Sequence, residues 1–370
     1  MKSSQERVAR LRGSIEAQEP GARGIERVAR NPDCLRLRAL TIAGMTPAQA
    51  LKVMGRADRE GQSPFALLQG LQFERYLLKN GAANLFALYR KLERLSEAEA
   101  KIAAIDEVAP GASPAARRRR EAETGRLLEA KLRGDSLAPN LILKPRLKVS
   151  LVGVAHPIEP DFLVAADHEA FYRVGELKSY PDRGGKTDQA DIRSAARQAG
   201  VGVVGLRQWL SVNGVARPEQ IATADADLVL KVTGFFLPTL QPMAIEGEVD
   251  SILRAISEAP TNLDALEALL PVGASLDNPV VLETVPNNYR PNCKEHCAMW
   301  EHCRARAQAE SHPIILGDHA AEKLAAAGSL NRAIELMTSA GAPPRNAAEA
   351  ALASELRAGD EAFRKAVGHG

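Results

Sequence analysis

The stretch from Ile158 to Lys178 reads IEPDFLVAADHEAFYRVGELK, and the rest of the chain is organised around it. Its apolar residues fall in two strand-like runs, the first headed by Pro160-Asp161 and the second closed by Glu176-Leu177-Lys178. Ala166-Asp167-His168-Glu169 supplies a hairpin turn between them. Side chains two apart on a strand point the same way, so Glu176 and Lys178 share a face. Two carboxylates and an ammonium at neighbouring strand positions suit a hard divalent cation, magnesium or manganese, beside a water attacking a phosphodiester.

Working outward, LILKPRLKVSLVGVAHP (141–157) has the β-branched content and turn punctuation of further strands. After the stretch, TDQADIRSAARQAGVGVVGLRQWLSV (187–212) reads as a helix with Arg193, Arg197 and Gln198 near one side. A second strand pair, ADLVLKVTGFFLPTLQPMAI (226–245), and an amphipathic helix over 247–270 follow. Upstream, Thr46-Pro47 fits an N-cap and first helical residue for AQALKVM, and Ser63-Pro64 does the same for a long helix, FALLQGLQFERYLLKNGAANLFALYRKL. That helix carries Gly70, expected to allow close backbone packing, and Glu74 one turn later. Helix is expected to continue from Leu95 to Lys131, broken near Pro110–Pro114. This order predicts an α/β core, a central mixed sheet flanked by helices, with helical N- and C-terminal additions.

Composition narrows the function. Hydrophobic residues make up 45% of the 370 and charged residues 25%, as in a globular protein, and a net charge of +2 leaves any nucleic-acid binding to local patches. Arg117 to Arg120 are one such run, weighed first as a solvated helix surface and second as a phosphate-binding patch. With 4% aromatics, extensive base stacking is not expected. No run of eighteen apolar residues occurs, and MKSSQERVARLRGS lacks the apolar core of a signal peptide, so a cytoplasmic protein with no membrane partner is expected.

The pattern of Pro160-Asp161, fourteen intervening residues, then Glu176-Leu177-Lys178 resembles the PD-(D/E)XK nuclease superfamily. The resemblance implies a restriction-endonuclease-like sheet, Asp161 and Glu176 as metal ligands with the Leu177 carbonyl, and Lys178 as the catalytic lysine. Members often carry a glutamate on the helix before the sheet. Glu74 fits that place, with Glu129 in GRLLEAKL as a rival. The RecB-like branch adds a glutamine on the helix after the lysine, and Gln198 fits it.

Cys293, Cys297 and Cys303 form C-x3-C-x5-C, and Cys34 stands far upstream. Four thiolates can hold a [4Fe-4S] cluster or zinc, and local spacing does not decide between them. One cysteine before the core and three after it resembles the iron staple of RecB-like nucleases, including CRISPR-associated exonucleases and AddB-type nuclease domains. There a [4Fe-4S] cluster ties the flanking segments together. The commoner spacing between the first two clustered cysteines is two residues, where this chain has three. With His296 or His302 in place of a thiolate, zinc is the alternative and leaves Cys34 free.

The resemblance divides the chain into a peripheral arm (1–30), a helical region contributing Cys34 and Glu74 (31–135), the nuclease core with the cysteine cluster (136–305) and a helical extension (306–370). It implies a metal-dependent nuclease acting on DNA, single strands or ends, in repair, recombination or defence; a catalytically silent DNA-binding scaffold is the alternative. Gly184-Gly185-Lys186-Thr187 is not a phosphate-binding loop, because that motif requires glycine where Tyr180 stands. It is expected as a loop near the site, offering Arg183 and Lys186 to substrate phosphates. His156 is read as a turn residue, and Trp209 and Trp300 as packing residues.

Overall fold

A computed structural model describes the chain except residues 1–2, 58–63, 96–100, 168, 183, 185, 236, 339–342 and 369–370. The central element is a six-stranded mixed sheet built from β1 (Ile102–Ala104), β2 (Leu141–Leu143), β5 (Phe162–Val164), β6 (Arg173–Asp182), β7 (Asp225–Val232) and β8 (Pro238–Ala244), in that spatial order. β3 (Leu147–Leu151) and β4 (Val154–Ile158) form a separate antiparallel hairpin. β1–β2 and β6–β7 pair in parallel, and the other neighbours pair antiparallel.

The central strands β2, β5, β6 and β7 are largely buried on both faces, which calls for helices on both sides of the sheet. Alternation sends Val174, Ala226, Leu228 and Leu230 into the main core with the helix Gln189–Val212, whose Ala195, Ala199 and Val203 meet them. The opposite face sends Phe162, Val164, Leu177 and Val229 against Phe73, Leu77 and Tyr89 of the helix Pro64–Lys91. A Cβ at Gly175 would lie 2.0 Å from the Phe162 ring, so that position admits only glycine without repacking the sheet.

Several expectations are corrected. The long helix is interrupted at Lys79–Ala82, where Asn80, Gly81 and Ala82 all take positive φ and the axis breaks. The segment expected as helix from Leu95 contains the edge strand β1 and a short helix Ile105–Val108 before the helix Pro114–Leu132 begins. β1 is three residues long, too short to show a periodicity. Gly70 needs no close approach, since a Cβ there would meet only Ser179 Oγ at 3.8 Å. The first thirty residues are not a loose arm: Ile25 joins the main core and Val28 packs beside Cys34. Gly13 ends the first helix, Ser4–Arg12, and a second helix, Gly21–Arg30, follows.

Other expectations are met. Thr46 caps the helix Pro47–Val53 with Pro47 at its first position. In the turn expected between β5 and β6, the Glu169 N–H donates to the Ala166 carbonyl, while His168 lies outside the described residues. The C-terminal helices Leu330–Met337 and Ala347–Ala366 pack on each other around Leu336 and Leu352. Among the described residues no helix is long and apolar enough to cross a membrane.

Candidate active site

Three adjacent strands set the chemistry. Leu143 of β2 pairs with Phe162 of β5, and Phe162 pairs with Gly175 of β6. One residue beyond those pairs, Lys144, Asp161 and Glu176 therefore form a row across the sheet edge, on the face of the helix Gln189–Val212. Lys178 lies two residues farther along β6 on the same face. Directly after it the ladder between β6 and β7 slips between Lys178 and Pro181, a bulge of the kind that re-aims side chains beside functional sites.

The contacts are specific. Lys178 Nζ donates to Glu176 Oε1 and, at 2.9 Å, to Gln198 Oε1. Lys144 Nζ lies 2.8 Å from both Glu74 Oε1 and Asp161 Oδ1. Asp161 Oδ2 accepts the Leu177 backbone N–H at 2.8 Å. Burial drives the Glu176 carboxyl well above the usual carboxylate range, against the pull of the Lys178 ammonium. Burial works to lower Lys178, but the charges of Glu176 and Asp161 outweigh it and raise its affinity for the proton. The same contest raises Lys144, through Asp161 and Glu74. Both lysines are thus cations at neutral pH.

All six residues expected from the sequence, Glu74, Asp161, Glu176, Leu177, Lys178 and Gln198, line one cleft of about 760 Å³. Glu129 does not line it and pairs with Arg133 at 3.6 Å on the surface. Arg117 and Arg120, from the four-arginine run, line the cleft with Arg23 and Arg146, so half of that run faces the site instead of solvent alone. Glu19 and Glu159 hold this wall in place. Arg146 Nη2 is 3.1 Å from Glu19 Oε2, Arg117 Nη1 is 3.3 Å from Glu19 Oε1, and Arg146 and Arg120 both pair with Glu159. Leu67 and Leu71 add apolar lining from the helix Pro64–Lys91.

The sequence reading missed Lys144, Arg146 and Glu159. A lysine before a proline in LILKPRL gave no signal, because its place beside Asp161 depends on a strand pairing invisible along the chain. Lys186 is exposed, while Arg183 and Gly185 of the same expected loop lie outside the described residues.

Divalent-metal binding can be weighed on the donor set. Glu74, Asp161, Glu176 and the Leu177 carbonyl are hard oxygen donors, and the ammonium seated on Glu74 and Asp161 shows that their oxygens can share one cation. Among the described residues, no group of three or more His, Cys, Asp or Glu side chains is placed to hold a metal ion.

The cysteines gather from both ends of the chain. Cys34 precedes the helix Leu35–Ala43, Cys293 lies in the turn Pro291–Glu295, and Cys303 lies in the helix Trp300–Ala309. All four are free thiols. They are mutual electrostatic neighbours: burial first, then Cys303, Cys34 and Cys293, raise the Cys297 thiol, and burial pushes Cys303 up to about 11. N–H donors already point at sulfur. Asn31 Nδ2 is 3.5 Å and the Arg290 backbone N 3.4 Å from Cys293 Sγ, and Arg36 Nη1 is 3.8 Å from Cys303 Sγ. Such donors suit thiolates bound to a metal or cluster, and the four thiols feel one another electrostatically, although among the described residues they do not stand at ligand spacing. His296 has both ring nitrogens buried without a partner, and burial lowers it to about 4, so it remains a neutral imidazole. Trp300 packs against the same core and Trp209 against the main core, as expected of packing residues.

Comparison of the chain with protein-family models, with curated proteins and with solved structures returned no match.

Proposed function

We propose that this protein is a metal-dependent deoxyribonuclease of the PD-(D/E)XK type, with a restriction-endonuclease-like sheet and an iron-sulfur staple of the RecB-like kind. The observation that carries the reading is the convergence of Glu74, Asp161, Glu176, Lys178 and Gln198, drawn from two helices and two strands, in one arginine-walled cleft. A magnesium or manganese ion held by Asp161, Glu176, the Leu177 carbonyl and Glu74 would polarise a phosphoryl oxygen and lower the pKa of a bound water.

The chain's own groups supply the rest. Gln198 and Glu176 hold the Lys178 ammonium over the cleft, where it can orient a water or stabilise charge developing on phosphate. Arg23, Arg117, Arg120 and Arg146 offer a cationic wall to a polynucleotide backbone, and Leu67 and Leu71 offer an apolar one to bases. That division suits single strands or frayed ends, in repair, recombination or defence.

Asp161→Asn and Lys178→Met should each abolish magnesium- or manganese-dependent cleavage of labelled single-stranded DNA, with matched RNA as competitor. Full activity in either variant would refute the site. The second reading, a silent DNA-binding scaffold, is favoured by one observation, the Lys144 ammonium already seated on Glu74 and Asp161. Binding of DNA without cleavage in either metal would support it.

Cys34, Cys293, Cys297 and Cys303 would hold a [4Fe-4S] cluster, with zinc as the competing occupant. Iron and sulfide analysis of anaerobically purified protein separates the two.

A further inference from the structure

We propose that Lys144 is a resident cation that competes with the divalent metal for Glu74 and Asp161. The inference rests on the metal-dependent reading above and adds to it a residue and a threshold.

Glu74 comes from the helix Pro64–Lys91 and Asp161 from the residue just before β5, and the group that joins them is the Lys144 ammonium, 2.8 Å from an oxygen of each. Asp161 has Oδ2 committed to the Leu177 N–H, so Lys144 takes the remaining oxygen, Oδ1. The β2–β5 register fixes this position, because Lys144 follows Leu143, the partner of Phe162, and its backbone N–H donates to the Asp161 carbonyl at 3.0 Å. Lys144 takes φ 49°, uncommon for a residue with a side chain, so the backbone turns sharply where the ammonium is delivered.

An ammonium and a dication cannot share the same two oxygens, since like charges at that separation repel strongly. Metal binding therefore requires the Lys144 side chain to withdraw. Without metal, the ammonium neutralises two carboxylates that would otherwise repel each other across the cleft. The cost of displacing it lowers the apparent metal affinity by the fraction of molecules in which Lys144 is already withdrawn.

The test measures Mn2+ binding by electron paramagnetic resonance of the free ion, without DNA, in wild type, Lys144→Met, Lys144→Arg and Asp161→Asn, with folding checked by circular dichroism. Lys144→Met should bind Mn2+ about tenfold or more tightly than wild type, for a withdrawn state populated at about a tenth or less. Lys144→Arg, which keeps the charge, should stay near wild type. Equal or weaker binding in a folded Lys144→Met, with binding lost in Asp161→Asn, would overturn the competition while leaving the metal site standing. Should none of the four bind Mn2+, the metal-dependent reading fails and this proposal with it.

Discussion

The Leu177 backbone N–H donates to Asp161 Oδ2 at 2.8 Å, so the carboxylate at the head of β5 is fixed by the strand that carries the other acidic residue. Two substitutions separate this structural role of Asp161 from the proposed role in metal binding. Asp161→Asn retains an acceptor for the Leu177 N–H and should unfold near the wild-type midpoint while losing metal-dependent cleavage. Asp161→Ala leaves that N–H unpaired and should cost a further ~1–3 kcal/mol in urea denaturation. Identical midpoints for the two variants would show that the hydrogen bond does not hold the strand end.

Glu74 and Glu129 were rival candidates for the helix glutamate, and the geometry separates them. Glu74→Gln is expected to weaken Mn2+ binding and cleavage together, because it removes charge from the cleft. Glu129→Gln, on the surface beside Arg133, should change neither. Loss of cleavage in the Glu129 variant alone would reverse the assignment.

Asp227 is fully buried in β7, where it accepts from the Tyr89 hydroxyl at 2.7 Å and from Arg94 Nη1 at 2.9 Å on both oxygens. The cluster ties the helix Pro64–Lys91 to the sheet opposite the cleft. Asp227→Ala leaves the buried Tyr89 hydroxyl unpaired and the half-buried Arg94 with Glu169 as a remaining partner, and should cost more than the ~1–3 kcal/mol of a single lost partner. Tyr89→Phe removes one hydrogen-bonding partner and should cost about 1–3 kcal/mol. Chemical denaturation of both variants gives the comparison, and a smaller loss for Asp227→Ala than for Tyr89→Phe would contradict this account.

His156 was read as a turn residue and instead lies within β4, buried, with Nε2 lacking a partner. Burial lowers its affinity for a proton, and the Glu19 charge offsets this in part. The unfolded chain takes up the proton near pH ~6.5, where the folded protein still refuses it. The stability due to the neutral imidazole is complete above that pH and is lost as pH falls through the lowered folded value. His156→Gln should flatten the decline of the melting temperature between about pH 7 and 5. Parallel curves for the two proteins would remove His156 as the cause.

Arg36 is almost fully buried, and it donates to the carbonyls of Val285 and Glu283 and to Cys303 Sγ. It links the Cys34 end of the chain to the Cys303 end without any cofactor. On the proposed cluster reading, Cys34→Ser should lower bound iron and the visible absorbance of anaerobic protein, while Arg36→Met should destabilise the protein even in an iron-free state. An Arg36→Met protein as stable as wild type in the iron-free state would show that the ends are joined by the cofactor alone.

The sequence by itself determined the strand run 158–178, the face shared by Glu176 and Lys178 and the helix carrying Gln198. These features rest on side-chain periodicity and capping chemistry, which are local and can be read along the chain. Lys144, the arginine wall and the break at Lys79–Ala82 were decided by the tertiary structure. Lys144 meets Asp161 only because β2 pairs with β5 in one register, and a one-residue slip would turn it to the other face. Arg117 and Arg120 look inward because Glu19 and Glu159 hold them there, across sequence separations that no local pattern encodes. Local patterning placed the candidate site residues on their elements, and long-range pairing of strands and charges assembled the cleft around them.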